Sequence, residues 1–320
     1  HHANSMAHQK KYRLMNKVPF PLVGSIGPLL SLDDEAIFHR LLKRILGTAC
    51  PLKCFTNTRE FTQEVSRQLQ LQEQACAELS QVIEAWRDDG ASLREGIISY
   101  WRSEPEIMAS TFLVDFRMPN ATGLEILARP ELQAWRGGKL LLTAHADDHI
   151  AVVAFNEGLI DQFVSKQMMA EDPDRFIATI HSICSKGNSL VDRVWGTQVS
   201  LHQQSVLQAC QATIQAAIRE RGWIRHAVLG EPWGILGLTH SGAVQWLQLE
   251  TDASMLALLE MLDATPTSAS TREAIADRKS LISMEVRPGK SQLAQAPAFE
   301  LGTSEHRLLG AFFEIEEAAN

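Results

Sequence analysis

The sequence predicts an α/β protein with a doubly wound, parallel, five-stranded sheet, followed by a smaller α+β domain. Short apolar runs alternate with segments of helical period between Pro28 and Ser185, which is typical of a parallel sheet covered by helices. Four of these runs end on a polar residue, and the alternation stops after Lys186. With 320 residues, the chain is long enough for two domains.

The pattern divides the chain into four parts. We expect residues 1–20 to be a tag remnant and an N-terminal extension, 21–186 to form the parallel-sheet domain, 187–210 a helical connector and 211–320 the α+β domain.

A helical insertion is predicted at about residues 62–107 within the first domain. Its apolar residues recur at close to helical period, so that one face must be buried. These residues are Leu69, Cys76, Leu79, Val82, Ile83 and Trp86. The insertion either packs back on its own domain or forms a hairpin that dimerises or receives a partner.

Composition narrows the class of protein. The chain is 45% apolar and 21% charged, as in globular proteins. It contains neither an apolar run long enough for a membrane helix nor a signal peptide, so we expect a soluble, cytoplasmic protein without membrane contact. A net charge of −8 argues against a dominant nucleic-acid surface. Five scattered cysteines predict neither a disulfide framework nor a zinc site.

Each predicted strand of the first domain is followed by a helical segment. The strands are "PLLSLDD", "PLKCFT", "STFLVDF", "GKLLLTAHA" and "IDQFVSK". The helices are "EAIFHRLLKRIL", the long stretch from Asn57 to about Trp86, "GLEILARPELQAW", "DDHIAVVAFNEG" and "DPDRFIATIHSICSK". Ligands of such sheets bind at the carboxyl ends of the strands, near the switch in strand order.

Polar residues end four of these strands: Asp33 with Asp34, Asp115, Thr143 and Lys166. Because parallel strands share one carboxyl edge, three carboxylates, a hydroxyl and an ammonium should meet there. Clustered carboxylates attract a hard cation such as Mg²⁺, and a carboxylate can attack phosphorus. The hydroxyl and the ammonium could stabilise an incoming phosphoryl group. The residue types therefore suit phosphoryl acceptance with Mg²⁺ as cofactor.

The segment from about Pro28 to Ser185 resembles the receiver domain of bacterial two-component response regulators, which has a flavodoxin-like fold. The resemblance rests on "LDDE", "VDFRMPNATGLEIL", "LLLTAHAD" and "FVSK", which occur in the order of that family. It implies that Asp115 is phosphorylated by a sensor histidine kinase or a phosphotransfer protein.

The same resemblance implies the other site residues. Asp33 and Asp34 would hold Mg²⁺ together with Asp115 and the backbone carbonyl of Arg117. Thr143 and Lys166 would assist catalysis, and Thr143 with Phe163 would form the conformational switch. The protein would then be no enzyme beyond its own phosphorylation and dephosphorylation.

Other interpretations of these residues stay open. Asp115 could be a turn or helix cap, and Asp33 and Asp34 could be acids at a helix N-terminus, which is compatible with metal binding. Thr143 and Lys166 could be ordinary surface residues, and Phe163 a core residue. A receiver that keeps the shape without being phosphorylated is a further alternative.

The sequence departs from the family pattern in three places. The acidic pair and Asp115 are about 80 residues apart, roughly 35 more than the alternating pattern needs, which locates the insertion. Gln167 follows Lys166 where the family usually has proline, so the turn there is not expected to contain a cis peptide. Arg117 is basic, with little expected effect, because only its carbonyl would bind the metal.

The second domain is predicted to contain strands and helices. A hairpin is expected in "WGILGLTHSGAVQWLQLE", and a strand pair is expected from "QAPAFELG" and "HRLLGAFFEIEE". Helices are expected in "DASMLALLEMLDA", with Asp252 as its cap, and in "TREAIADRKSLIS". The domain shows no helix-turn-helix, phosphate-loop, GGDEF-like, EAL-like or Ser/His/Asp pattern.

The expected output is a conformational or dimerisation signal in a homodimer, and this combination of domains resembles regulators of bacterial quorum sensing. In the alternatives, the second domain binds a nucleotide or cyclic dinucleotide, binds DNA as a transcriptional regulator, or is a scaffold for a protein partner.

Overall fold

The computed structural model describes residues 19–47, 50–103, 106–143, 148–263, 268–283, 294–302 and 306–315. The predicted tag lies outside these ranges. The contacts divide the chain into two compact units. A parallel unit contains residues 27–69 and 108–188 with the described residues before Leu22. An antiparallel unit contains residues 22–26, 70–107 and those from Ser189 onward. No helix in the described ranges combines the length and the apolar character that crossing a membrane would require.

The strands, in chain order, are β1 (Val23–Ser25), β2 (Leu29–Leu32), β3 (Leu52–Phe55), β4 (Thr111–Asp115), β5 (Gly138–Thr143), β6 (Gln162–Ser165), β7 (Trp223–Leu229), β8 (Gly234–Thr239), β9 (Val244–Thr251), β10 (Ser280–Ile282), β11 (Gln295–Pro297), β12 (Phe299–Glu300) and β13 (Leu308–Glu314).

The helices are α1 (Ala36–Leu46), α2 (Thr58–Asp89), α3 (Leu93–Ser103), α4 (Gly123–Leu127), α5 (Pro130–Ala134), α6 (Asp148–Asn156), α7 (Lys166–Glu171), α8 (Pro173–Cys184), α9 (Ser189–Trp195), α10 (Leu201–Ala209), α11 (Gln211–Glu220), α12 (Asp252–Asp263) and α13 (Ala269–Ala276).

The parallel unit is built on a five-stranded sheet in the order β3-β2-β4-β5-β6. All four strand pairs are parallel, and β2 and β4 flank the point where the strand order reverses. Residues of β2, β4 and β5 are fully buried almost throughout, as expected for a sheet covered on both faces. The predicted doubly wound, flavodoxin-like fold is confirmed.

Two apolar layers cover this sheet. On one face, Phe61 and Val65 of α2 pack with residues of α4 and α5 against the sheet, and Trp135 stacks on Phe112 of β4 at 4.7 Å between ring centres. On the other face, α1 and α8 bury a second cluster that includes Leu42 and Phe176. The alternation of side chains along β2 and β4 supplies both layers.

The antiparallel unit contains a six-stranded sheet in the order β1-β7-β8-β9-β13-β12. Every neighbouring pair in it is antiparallel, and β10 pairs with β11 in a separate two-stranded sheet. Trp195, fully buried at the end of α9, donates its indole N–H to the carbonyl of Val228 at 2.6 Å. This hydrogen bond links α9 to the sheet.

The units differ from the predicted boundaries in two respects. Residues 22–26, expected in the parallel-sheet domain, belong to the antiparallel unit because β1 pairs with β7. Residues 70–107, most of the predicted insertion, also belong there: the guanidinium of buried Arg225 donates to the carbonyl of Trp101 in α3 at 3.4 Å. The start of the insertion packs on its own sheet through Val65 and Leu69, as one alternative held, whereas the packing of the remainder was not anticipated.

The hairpin predicted from "HSG" is the β8–β9 pair, whereas β7 was not predicted. The segment expected to be helical from Thr271 to Ser283 ends its helix at Ala276 and continues as β10. Thr251 rather than Asp252 caps α12, because its hydroxyl accepts the N–H of Ser254 at 3.2 Å.

Candidate functional site

The carboxyl ends of β2 and β4 bring three carboxylates together. Asp33 follows β2 and is fully buried, and Asp115, the last residue of β4, is 4% exposed. Asp34 is exposed beside them. One oxygen from each of the three carboxylates lies within 4.8 Å of the others. The predicted acidic cluster thus exists at the edge of the sheet where the strand order reverses.

Lys166 places its ammonium between two of these acids. Its Nζ lies 2.7 Å from Oδ2 of Asp33 and 3.2 Å from Oδ1 of Asp115. Ser165 ends β6 and accepts the N–H of Gln167 at 3.1 Å, which starts α7 with Lys166 as its first residue. Gln167 in place of proline therefore leaves Lys166 at the site.

Helix α1 supports the lysine from the other side. The Lys166 ammonium lies 4.9 Å from the ring centre of buried Phe38, within the range of a cation–π contact. The sequence analysis did not single out Phe38. Ile37 and Leu41 of the same helix are exposed. The spacing of Phe38, Leu42 and Leu46 was the available signal, since these three form the buried stripe.

The turn after β4 fixes the backbone around Asp115. The N–H of Arg117 donates to the Asp115 carboxylate, and the N–H of Gly123 donates to the carbonyl of Phe116 at 2.9 Å. A Cβ at Gly123 would lie 2.3 Å from the carbonyl oxygen of Asp115, so that only glycine fits there. Thr122 starts α4 with a capping box and completes the turn.

Burial dominates the electrostatics of the site. It raises the pKa of Asp115 to about 6, although the positive charge of Lys166 acts in the opposite direction. Burial alone would lower the pKa of Lys166, but its hydrogen bond to Asp33 and the charge of Asp115 raise it. Buried His39 lies nearby, and desolvation lowers its pKa. The ammonium therefore stays charged and compensates for the buried acids.

The remaining predicted residues lie at the same edge or near it. Thr143 ends β5, is buried, and stands opposite Ser165 in the parallel register. Because β5 neighbours β4, Thr143 lies at the same carboxyl edge of the sheet as Asp115, whose register partner is Leu142. Phe163 on β6 is 37% exposed and Arg117 is exposed. The structure thus brings the acids and the lysine into direct contact, and places Thr143 beside them.

This arrangement suits electrophiles that carry negative charge. A buried carboxylate with an adjacent ammonium can act as a nucleophile toward phosphorus, provided that the charge of the incoming group is neutralised. The cluster of three carboxylate oxygens can bind a hard divalent cation, which takes such ligands together with waters and phosphate oxygens. Metal-assisted phosphoryl transfer to Asp115 therefore matches the residues present.

The parallel unit has the fold of a response-regulator receiver domain. Over nearly the whole chain, the fold is also that of the response regulator LqsR of Legionella pneumophila, with a TM-score of 0.61 and 16% identity, covering 94% of this chain and 92% of that one. The expected resemblance to response regulators is thus confirmed for the fold, which is all that 16% identity shows.

Two receiver domains match about half of this chain. The BeF₃-activated DrrB receiver domain matches with a TM-score of 0.30 and 17% identity, covering 49% of this chain and 96% of that one. The Mn²⁺-bound form of response regulator Rcp1 matches with a TM-score of 0.30 and 15% identity, covering 49% and 92%. No family model matches this sequence, and no curated protein matches it.

Proposed function

We propose that this protein is a response regulator whose parallel unit accepts a phosphoryl group on Asp115. The observation that carries the proposal is the position of Lys166, whose ammonium contacts both Asp33 and Asp115 at 2.7 and 3.2 Å. A structural cap or an ordinary surface ion pair would not require two acids that are almost completely buried beside one lysine. The donor would be a sensor histidine kinase or a phosphotransfer protein, which implies a cytoplasmic location.

Asp33, Asp34 and Asp115 would hold a divalent cation, with Mg²⁺ as the expected ion and the backbone carbonyl of Arg117 as a further ligand. The donor set fits, because three carboxylate oxygens already lie within 4.8 Å of one another and hard cations prefer oxygen ligands. When bound, the cation would neutralise charge on the phosphoryl oxygens.

The bonds that form and break in the transfer would join only atoms of this chain and of the donor. An Asp115 carboxylate oxygen would form a bond to phosphorus while the bond from phosphorus to the donor imidazole nitrogen breaks, giving an acyl phosphate. Lys166 would compensate for the negative charge on the phosphoryl oxygens, and the Thr143 hydroxyl would donate a hydrogen bond to one of them. The chain would catalyse only its own phosphorylation and hydrolysis.

The output would follow from a rearrangement at β5 and β6. Attraction of Thr143 toward the phosphoryl group would let Phe163, now partly exposed, turn inward. Val153 of α6, the helix before β6, is also exposed, at 39%, and a second copy could cover these two apolar side chains. We therefore propose a phosphorylation-dependent homodimer.

The test is intact-mass spectrometry after incubation with phosphoramidate and Mg²⁺. The wild-type chain should gain one phosphoryl group, and Asp115→Asn should gain none. Asp174→Asn is the matched control, because Asp174 is an exposed acid in the first turn of α8, and it should be phosphorylated like wild type. A gain that persists in Asp115→Asn would exclude Asp115 as the acceptor.

The dimer is tested separately by light scattering with and without beryllium fluoride, which mimics the acyl phosphate. The mass should double upon addition, and Phe163→Ala should reduce the effect. A monomer under both conditions would refute the dimer while leaving the acceptor proposal intact.

A further inference from the structure

Two free thiols lie against each other in the parallel unit, at the edge of the sheet opposite to Asp115. The Sγ atoms of Cys50 and Cys184 are 4.0 Å apart. Cys50 lies two residues before β3 and is buried, and Cys184 is the last residue of α8 and is partly exposed. The two residues are 134 positions apart in sequence, so the fold alone brings them together.

The backbone holds both cysteines in place. The carbonyl of Pro51, next to Cys50, accepts the N–H of Leu29 at 2.8 Å. The end of α8 packs tightly on the sheet, since a Cβ at Gly138 would lie 2.6 Å from the Ile183 side chain. Because a disulfide is about 2.05 Å long, rotation of the two side chains would have to close only about 2 Å.

The surroundings activate one of the two sulfurs. The hydrogen bond between the two thiols lowers the pKa of Cys184 to about 7. The same bond, together with burial, raises the pKa of Cys50. Since the thiolate is the reactive form of cysteine, Cys184 is the sulfur that would react first with an oxidant.

We propose that Cys50 and Cys184 form an oxidation site, at which a hydroperoxide converts the two thiols into an intramolecular disulfide. The Cys184 thiolate attacks the peroxide, the O–O bond breaks, and a sulfenic acid forms with release of the first water when the peroxide is H₂O₂. The Cys50 sulfur then displaces the sulfenic oxygen as a second water and closes the S–S bond. Two thiols lose two electrons in total, and one peroxide becomes two waters.

The test is thiol counting and peptide mapping of the full chain after treatment with H₂O₂. The chain has five cysteines, and blocking with N-ethylmaleimide should fall from five thiols to three. The map should contain one linked pair of peptides, those of Cys50 and Cys184, which dithiothreitol separates. Five remaining thiols, or linkage through any other cysteine, would refute the proposal.

Variants identify the two steps. Cys50→Ser should stop at a Cys184 sulfenic acid that dimedone traps, and Cys184→Ser should form no disulfide. Cys54→Ser is the matched control, because Cys54 is exposed on β3, four residues after Cys50, and it should form the linked peptides like wild type. Asp115→Asn should also form them, so that this proposal and the phosphoryl-acceptor proposal fail separately. Disulfide formation that requires Cys54 would contradict the assignment.

Discussion

Replacement of Lys166 by alanine tests the electrostatic account of the site most severely. The substitution removes the ammonium that lies 2.7 Å from Asp33 and 3.2 Å from Asp115. It leaves two carboxylates, 0% and 4% exposed, without their positive partner. Loss of one partner from a fully buried ion pair costs roughly 3–5 kcal/mol. Because the Lys166 side chain is 18% exposed, water can compensate for part of this, and we expect about 2–4 kcal/mol.

The chain offers a matched control in the same unit. Lys53 forms an ion pair with Glu64 at 3.3 Å, but its side chain is 41% exposed. Lys53→Ala should therefore cost only about 0.2–1 kcal/mol. The assay is hydrogen–deuterium exchange of peptides from β2, β4 and β5 in the presence of a chelator, since it reports the opening free energy of this unit alone.

In that assay, a loss of about 3 kcal/mol in the opening free energy corresponds to exchange of the sheet peptides that is on the order of 100-fold faster in Lys166→Ala than in wild type. Saturating Mg²⁺ should shrink the difference from wild type, because a divalent cation neutralises the same carboxylates. If Lys166→Ala and Lys53→Ala exchange at equal rates without the cation, the proposed charge compensation at the site is refuted.

Three further predictions concern residues of the two units that lie outside the site. Burial raises the pKa of Asp192 from 3.8 to about 7, so the folded chain holds a proton that the unfolded chain releases. The stability of the antiparallel unit should then fall as pH rises from about 4 to 7 and level off above, and urea unfolding of Asp192→Asn should lack this dependence. Gly237→Ala should cost about 1–3 kcal/mol in urea unfolding, because the new Cβ would lie 1.9 Å from the buried Trp223 ring. Gln68→Leu should cost about 1–3 kcal/mol by the same measurement, because it leaves the N–H of Ala109, now 2.7 Å from Gln68 Oε1, without an acceptor. Unchanged unfolding curves would contradict each estimate.

The parallel unit was predictable because its strands are buried on both faces and read as apolar runs. Asp33, Asp115 and Thr143 stand out for the same reason, since each is the first polar residue after such a run, and Lys166 follows Ser165 at the end of its run. Phe38 could not be recognised in this way, because an aromatic residue inside a helical pattern carries no sign of what it will contact.

The antiparallel unit was less predictable for two physical reasons. Strand β1 has only three residues, and it forms because it pairs with β7, about 200 positions later in the chain. No local sequence pattern encodes this pairing. Strand β7 contains Arg225 and His226, so it reads as a basic cluster rather than as a strand. Arg225 is nevertheless buried, where it meets the carbonyl of Trp101, and only the assembled fold supplies that partner.

The central claim is that Asp115 becomes an acyl phosphate, and reductive trapping tests it most directly. After incubation with phosphoramidate and Mg²⁺, borohydride reduces an aspartyl phosphate to homoserine, and peptide mapping locates the changed residue. We predict homoserine at position 115 and an unchanged residue in a sample treated without the phosphoryl donor. Homoserine at Asp33, at Asp34 or at any other position, or at none, would contradict the account.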